Sequence, residues 1–357
     1  MIHVFLGTKA QYIKTAPLLR LLEERGVEYR MIDSGQHGAL SVGLREELGV
    51  RPPDHVLAAG IDITRIPQAV WWAAKLAAKL IRRGVLKREV FAGRGGVCVV
   101  HGDTPSTLLS TLMAKRAGLQ VAHLEAGLRS SRLLHPFPEE LIRVIVMRIA
   151  DLLFAPDEQA LANLRRMQVK GEVVALPGNT VVESLQHELD GRDAAADGAV
   201  IVTMHRVENL NRRERVEELV GTVERIVRDH PVRFVQHGPT IDTLRRRGFD
   251  RRLRAAGVEL VGLAPHGEFV TMLRAAPFVI TDGGSIQEEC ALLGTPTLVW
   301  RGATERNDGI GANVVLSRYD RATVAAFLTD PQRYRRPPAD TGATPSQVVL
   351  AHLDRFR

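Results

Sequence analysis

Two cysteines in 357 residues, Cys98 and Cys290, cannot frame a disulfide scaffold. Both lie in apolar runs, so they are expected as small core residues in a reducing compartment. Aromatic residues make up 5% of the chain, too few to interleave a nucleic-acid surface. No apolar run reaches the roughly eighteen residues a transmembrane helix needs. The N-terminal "MIHVFLGTKAQ" has no basic n-region and no small-residue cleavage site, so secretion is not expected and a cytoplasmic location is. There is no H-E-x-x-H, C-x-x-C or D-x-D spacing, so no metal site is expected. A serine hydrolase is disfavoured because no G-x-S-x-G elbow occurs.

What is present is a chain of 45% apolar and 25% charged residues, the balance of a globular protein. Its length suggests two domains at ~150 residues each. The net charge is +7, and arginine outnumbers lysine several-fold. This excess suits an anionic ligand. Nucleic acid would also fit, but the arginines are dispersed and no nucleic-acid motif occurs, so no such partner is expected. "VWWAAKLAAKLIRRGVLKR" (70–88) reads as a basic helix. Its apolar positions need only a core-facing stripe, so a covering helix or dimer contact is expected rather than membrane attachment.

Short β-branched runs alternate with amphipathic stretches. "HVFLGT" (3–8), "VCVVHGD" (97–103), "QVAHLEA" (120–126) and "DLLFAPD" (151–157) form a first series. The polar "QHELDGRDAAAD" (186–197) reads as a linker. A second series follows, "GAVIVTMHR" (198–206), "VRFVQHG" (232–238), "VELVGLAP" (258–265), "PFVITDGG" (277–284) and "TPTLVWR" (295–301), each expected to lead into a helix. This rhythm predicts an α/β protein with two Rossmann-like domains and parallel sheets facing across a cleft. Residues 1–185 form the first domain and 186–344 the second. The tail helix at 345–357 is expected to pack back on the first.

In such sheets ligands sit outside the carboxyl ends of the strands, and the reactive side chains cluster there. The first half delivers His101 and Asp103, His123 and Glu125, then His135 and Glu139. The second delivers His205 and Arg206, His237, Gly283 to Ser285, and Arg301. Asp103 alone could be a helix N-cap, and Glu139 a first-turn acid paired with Arg143 at i+4. Three carboxylates in one half nevertheless suggest acid–base chemistry. Lys9 and Lys14 flank the first strand-to-helix turn, and His205 with Arg206 opens the second half. Either pair could hold an anion, or be a solvated helix start and a local ion pair with Glu208.

"GTKAQYIKTAPL", "HGDTPSTL", "HLEAGLRS", "PFPEELIR", "LPGNTVVESL", "TMHRVENL", "TDGGSIQEE" and "WRGATERNDG", in this order, resemble the UDP-N-acetylglucosamine 2-epimerase family over nearly the whole chain. The resemblance implies the GT-B fold, a UDP-sugar substrate, a homodimer, and neither metal nor nicotinamide. It implies removal of the C2 proton while UDP leaves C1, a glycal intermediate, and re-addition of UDP after C2 is protonated from the other face. In the hydrolysing branch water adds instead and free ManNAc leaves. Asp103, Glu125 and Glu139 would be the acid–base and sugar-binding set, with His205 counted beside them. Lys9, Lys14, Arg143, Arg206, His237, Gly283, Gly284, Ser285 and Arg301 would serve the substrate, and Glu289 the ribose, leaving Glu288 as a first-turn residue. Gln36 and His37 would remain from a regulatory site.

Four departures stand out. Lys9 replaces the family's arginine and Gln11 its glutamate; Gly283-Gly284-Ser285 replaces Ser-Gly-Gly; and Glu305-Arg306-Asn307-Asp308 replaces Glu-Arg-Pro-Glu. They point to a modified substrate or a specialised sugar or secondary-metabolite pathway. The alternatives are a GT-B glycosyltransferase, which would not need three first-domain carboxylates, and an inactive UDP-sugar-binding protein.

Overall fold

The computed structural model describes residues 1–35, 38–58, 71, 74, 80–130, 138–190, 198–339, 342 and 344–356, with side chains at 38–42 set aside. The chain divides into two compact units: Met1–Ser184 with Thr341–Arg357, and Leu185–Asp340.

The first unit holds seven strands: β1 Ile2–Leu6, β2 Tyr29–Asp33, β3 His55–Val56, β4 Val97–His101, β5 Gln120–Leu124, β6 Leu152–Ala155 and β7 Glu172–Ala175. They run parallel in the order β3-β2-β1-β4-β5-β6-β7. Side chains alternate between its faces. Ile2, Val4 and Leu6 enter one core and Phe5 the other, and Val97 and Val99 oppose Cys98 and Val100 in the same way. Both faces are covered, so the strands read as continuous apolar runs. The chain order reverses between β1 and β4, and the crevice that such a reversal opens lies at their carboxyl ends.

The second unit repeats the plan with β8 Val200–Thr203, β9 Val232–Val235, β10 Glu259–Val261, β11 Val279–Thr281, β12 Thr297–Val299 and β13 Val314–Leu316. The order is β10-β9-β8-β11-β12-β13, again parallel, with the reversal between β8 and β11.

Several sequence expectations need correction. The run 186–197 is not wholly linker, because the helix Val181–Leu189 continues to Leu189 and buries Leu185 and Glu188. No helix follows "TPTLVWR"; turns from residue 300 lead directly into β13. The stretch 70–88 is not a single helix: it breaks at Arg82, and a wide turn at Leu86–Val90 sends Leu86, Val90 and Phe91 into the core. Trp72 lies outside the described residues. Cys98 and Cys290 are free and buried, and burial pushes each thiol up to about 12. Among the described residues no helix is long and apolar enough to cross a membrane.

The last helix, Pro345–Leu353, belongs to the first unit. Val349, Leu350 and Leu353 join its core, and Glu183 accepts hydrogen bonds from the Ser346 amide (3.1 Å) and hydroxyl (2.5 Å). Leu353→Ala should therefore cost about 2–5 kcal/mol in urea unfolding. A loss below ~1 kcal/mol would mean the tail adds little to that core.

Candidate active site

In the first unit the switch point is shaped by two helix starts. Thr8 caps the helix Lys9–Glu24, with Gln11 completing the box, and Thr104 caps Pro105–Ala117, with Thr107 completing it. The N-cap is thus Thr104 and not Asp103, and the Asp103 carboxylate is left to pair with the Arg143 guanidinium. Gln11 joins the two turns. Its Oε1 accepts from the amides of Gly7 (2.8 Å) and Thr8 (3.1 Å), while its Nε2 donates to the His101 carbonyl (2.7 Å) and to Thr107 Oγ1 (2.9 Å). Gly7 is required where these turns meet, since a Cβ there would lie 2.6 Å from Ser34 Oγ and 2.7 Å from Ser106 Oγ.

Glu125 follows β5 in the left-handed region, φ +62°, which glycine occupies far more readily. This backbone turns its carboxylate to Lys14 Nζ at 2.5 Å and Asn179 Nδ2 at 2.8 Å, with His101 Nδ1 3.8 Å away. Lys14 is therefore a buried partner of Glu125. His123 lies beside them with Nε2 2.8 Å from the Gly102 carbonyl. Burial lowers its pKa more than nearby Asp103 and Glu125 raise it, so its neutral ring donates to that carbonyl.

Glu139 begins the helix Glu139–Ile149. The expected Glu139–Arg143 pair is corrected, because Arg143 reaches Glu140, one residue later, at 3.1 Å. Glu140 is fully buried and also holds Arg129 and the Ser130 amide (3.1 Å). This explains the doubled acid in "PFPEELIR": Glu140 anchors Arg143, which pairs with Asp103. Glu139 Oε2 is buried with no hydrogen-bond partner among the described residues. Lys9, half-buried, opens the first helix. Gln36, His37 and His135 lie outside the described residues.

In the second unit a residue that the sequence reading passed over, Asp282, organises the switch point. Its carboxylate is fully buried and accepts from the amides of His205 (2.9 Å) and Arg206 (3.1 Å) and from Asn209 Nδ2 (2.9 Å). Its carbonyl accepts from Arg206 Nε at 3.0 Å. His205 packs on His237, with ring centroids 4.5 Å apart. Burial lowers the His205 pKa more than Asp282 raises it, so its imidazole is neutral near pH 7. Gly283 caps the helix Gly284–Leu293, and a Cβ on it would lie 2.8 Å from His205 Cε1. The order Gly-Gly-Ser thus makes room for that ring and leaves the half-exposed Ser285 in the first turn, where the helix amides are open to an anion.

Behind this turn lies a net of buried ions. Arg301, 1% exposed, meets Glu305 at 2.9 Å and Glu208 at 3.6 Å. Glu305 also meets Arg206 at 3.3 Å. Arg301 is therefore a partner of protein carboxylates rather than a surface cation. Glu288 is corrected too: it is buried, with Arg306 Nη1 at 2.9 Å. The altered "ERND" string thus holds its Glu and Arg in structural ion pairs. Glu289 Oε1 lies 3.2 Å from His266 Nε2.

Two Rossmann-like α/β units, each with polar groups at its switch point, make this a protein of the GT-B class. The family model for UDP-N-acetylglucosamine 2-epimerase matches residues 20–336. The UDP-N-acetylglucosamine 2-epimerase of Methanocaldococcus jannaschii is 28% identical over 98% of this chain and 97% of its own. That of Bacillus subtilis is 29% identical over 92% of this chain and 87% of its own. The crystal structure of the M. jannaschii enzyme in complex with UDP-GlcNAc and UDP superposes with a TM-score of 0.85 at 26% identity, covering 100% of this chain and 99% of that one. The chain belongs to the UDP-N-acetylglucosamine 2-epimerase family.

Gln11 yields a prediction because only an amide satisfies both turns. Gln11→Glu removes the donors and sets a carboxylate oxygen against the His101 carbonyl. It should destabilise the protein by about 1–3 kcal/mol in urea unfolding at pH 8. A change below ~0.5 kcal/mol would mean the amide is not the tie.

Proposed function

We propose that this protein inverts C2 of a UDP-N-acetylhexosamine, interconverting UDP-GlcNAc and UDP-ManNAc, by eliminating UDP across C1–C2 and adding it back. The observation that carries this reading is the first-unit carboxylate set. Asp103 and Glu125 end neighbouring strands, each held by its own cation, and Glu139 keeps a carboxylate oxygen without a partner among the described residues. A simple nucleotide-sugar binder needs no such set. The family membership and the UDP-GlcNAc bound to the archaeal relative support the same substrate.

In this reading one carboxylate takes the C2 proton as the C1–O bond breaks and its electron pair leaves with UDP. The C2–H electrons form the C1=C2 bond of a 2-acetamidoglucal. A second carboxyl group then protonates C2 from the opposite face, while a β-phosphate oxygen of UDP re-bonds to C1. Lys14 and Arg143 hold Glu125 and Asp103 in place. Glu139, whose Oε2 has no hydrogen-bond partner among the described residues, completes the carboxylate set.

The C2 proton is only weakly acidic, so departure of UDP must be assisted. In the second unit Arg206, His205 and the amides of Gly284 and Ser285 serve the pyrophosphate, with Gly283, whose own amide donates to Thr281 Oγ1, shaping the turn, and Glu289 the ribose. His237 supports the ring of His205, Arg301 acts from behind Arg206 through Glu305, and Lys9 serves the sugar or phosphate side of the first unit. The enzyme works as a cytoplasmic homodimer in this reading, which suits its free thiols.

The test is incubation with UDP-GlcNAc in deuterated water, followed by NMR. UDP-ManNAc deuterated at C2 is the expected product. Free ManNAc would mean hydrolysis, and no exchange with any UDP-HexNAc would sink the epimerase reading. Asp103→Asn and Glu125→Gln should each lower kcat about 10²–10⁴-fold with UDP affinity kept. A comparable loss of UDP affinity would put these residues at the nucleotide instead.

A further inference from the structure

Glu289 does not stand alone in the second unit. The helix His266–Ala275 begins with a histidine that is 2% exposed, and its ring lies between two buried carboxylates. Nε2 is 3.2 Å from Glu289 Oε1, and Nδ1 is 4.0 Å from Glu188 Oε1. Glu188 comes from the helix Val181–Leu189, along which the chain passes from one unit to the other. Three helices thus place one acidic, one basic and one acidic group in line, all within the second unit.

The contact divides the two oxygens of Glu289. Oε1 faces the imidazole, while Oε2 carries no hydrogen bond among the described residues. Glu289 also lies on the helix whose first turn, Gly284–Ser285, offers its amides to a phosphate. The five steps from Gly284 to Glu289 span about 7.5 Å of helix axis. A phosphate at the helix start and a hydroxyl pair one turn further in match the layout of a ribonucleoside diphosphate. A carboxylate selects a vicinal diol only if its plane is fixed, because a freely turning one loses bond geometry and rotamer entropy.

We propose that His266 is the positioning residue that fixes the Glu289 carboxylate as acceptor for a ribose diol, and thereby sets the preference for ribo- over 2′-deoxyribonucleotides. The inference rests on the reading above that the second unit binds the uridine nucleotide. Burial alone would lower the pKa of His266, but the two facing carboxylates, Glu188 by its charge and Glu289 also by its hydrogen bond, override this and raise it to about 9. The ring is therefore an imidazolium at neutral pH, donating from Nε2 to Glu289 with the Glu188 carboxylate 4.0 Å from Nδ1. Glu188 faces it from the opposite side and favours that charged state. Such a charge-assisted contact is stronger and more directional than a neutral one.

The test is calorimetric titration of the full-length protein with UDP and with 2′-deoxy-UDP. Wild type should favour UDP by about 10- to 100-fold, the range for one hydrogen bond to a charged group. His266→Asn, whose amide is too short to reach Glu289, should reduce that ratio to within about threefold. His266→Gln, whose amide reaches close to the original Nε2, should restore most of it. Circular dichroism and thermal melting establish that both variants fold, and if the asparagine variant does not, His266→Phe takes its place. Equal discrimination in wild type and the short variant would overturn the inference while leaving the nucleotide reading intact, as would a wild type that does not discriminate. Failure of wild type to bind UDP at all would sink the nucleotide reading, and this inference with it.

Discussion

The buried Asp282 carboxylate fixes the geometry of the second switch point. It accepts two successive backbone amides from the turn after β8 and a side-chain amide from Asn209. A buried carboxylate without donors is strongly unfavourable, so its position dictates where those donors lie. The turn carrying His205 and Arg206 is thereby held beside the glycines that open the next helix. Gln11 does the corresponding work in the first unit with an amide, because there the turns present both donors and an acceptor. Each sheet brings two chain ends together, and one buried polar side chain keeps them in register.

Around these ties the charges are arranged in matched sets. Glu125 has Lys14, Asp103 has Arg143, and Arg143 is steadied from behind by Glu140. In the second unit Arg206 and Arg301 share Glu305, and Arg306 has Glu288. Buried ion pairs add little net stability over an apolar core, whereas loss of one member costs about 3–5 kcal/mol. Their use here is placement. They hold reactive groups at fixed positions, so less reorganisation is left for the moment of reaction.

The sequence made the α/β rhythm, the parallel sheets and the strand-end residues legible, since apolar runs and their polar termini are local signals. It did not reveal β2, β7 or β13, nor the two-residue β3. "YRMID" carries charges within a short strand, and "EVVA" and "VVL" are too brief to show a period. It also did not reveal which charges pair. Asp103 reads as a cap until Thr104 is seen to take that place, Glu139 reads as the partner of Arg143 until Glu140 is seen to be nearer, and Glu288 reads as a first-turn helix residue until Arg306 is seen against it. These are choices between neighbours one residue apart, and only packing decides them. Asp282 was in view within "TDGG" but was hidden by its glycines, whose role in approaching a phosphate drew attention from the carboxylate that positions them.

The central claim is that the bond between C1 and the UDP oxygen breaks during the reaction. It is tested by positional isotope exchange, with ¹⁸O placed in the bridging oxygen between C1 and the β-phosphorus of UDP-GlcNAc. Elimination frees the β-phosphate to rotate, so the account predicts that the label moves into non-bridging positions at least as fast as C2 inverts. Inversion at C2 with the label still bridging would contradict it.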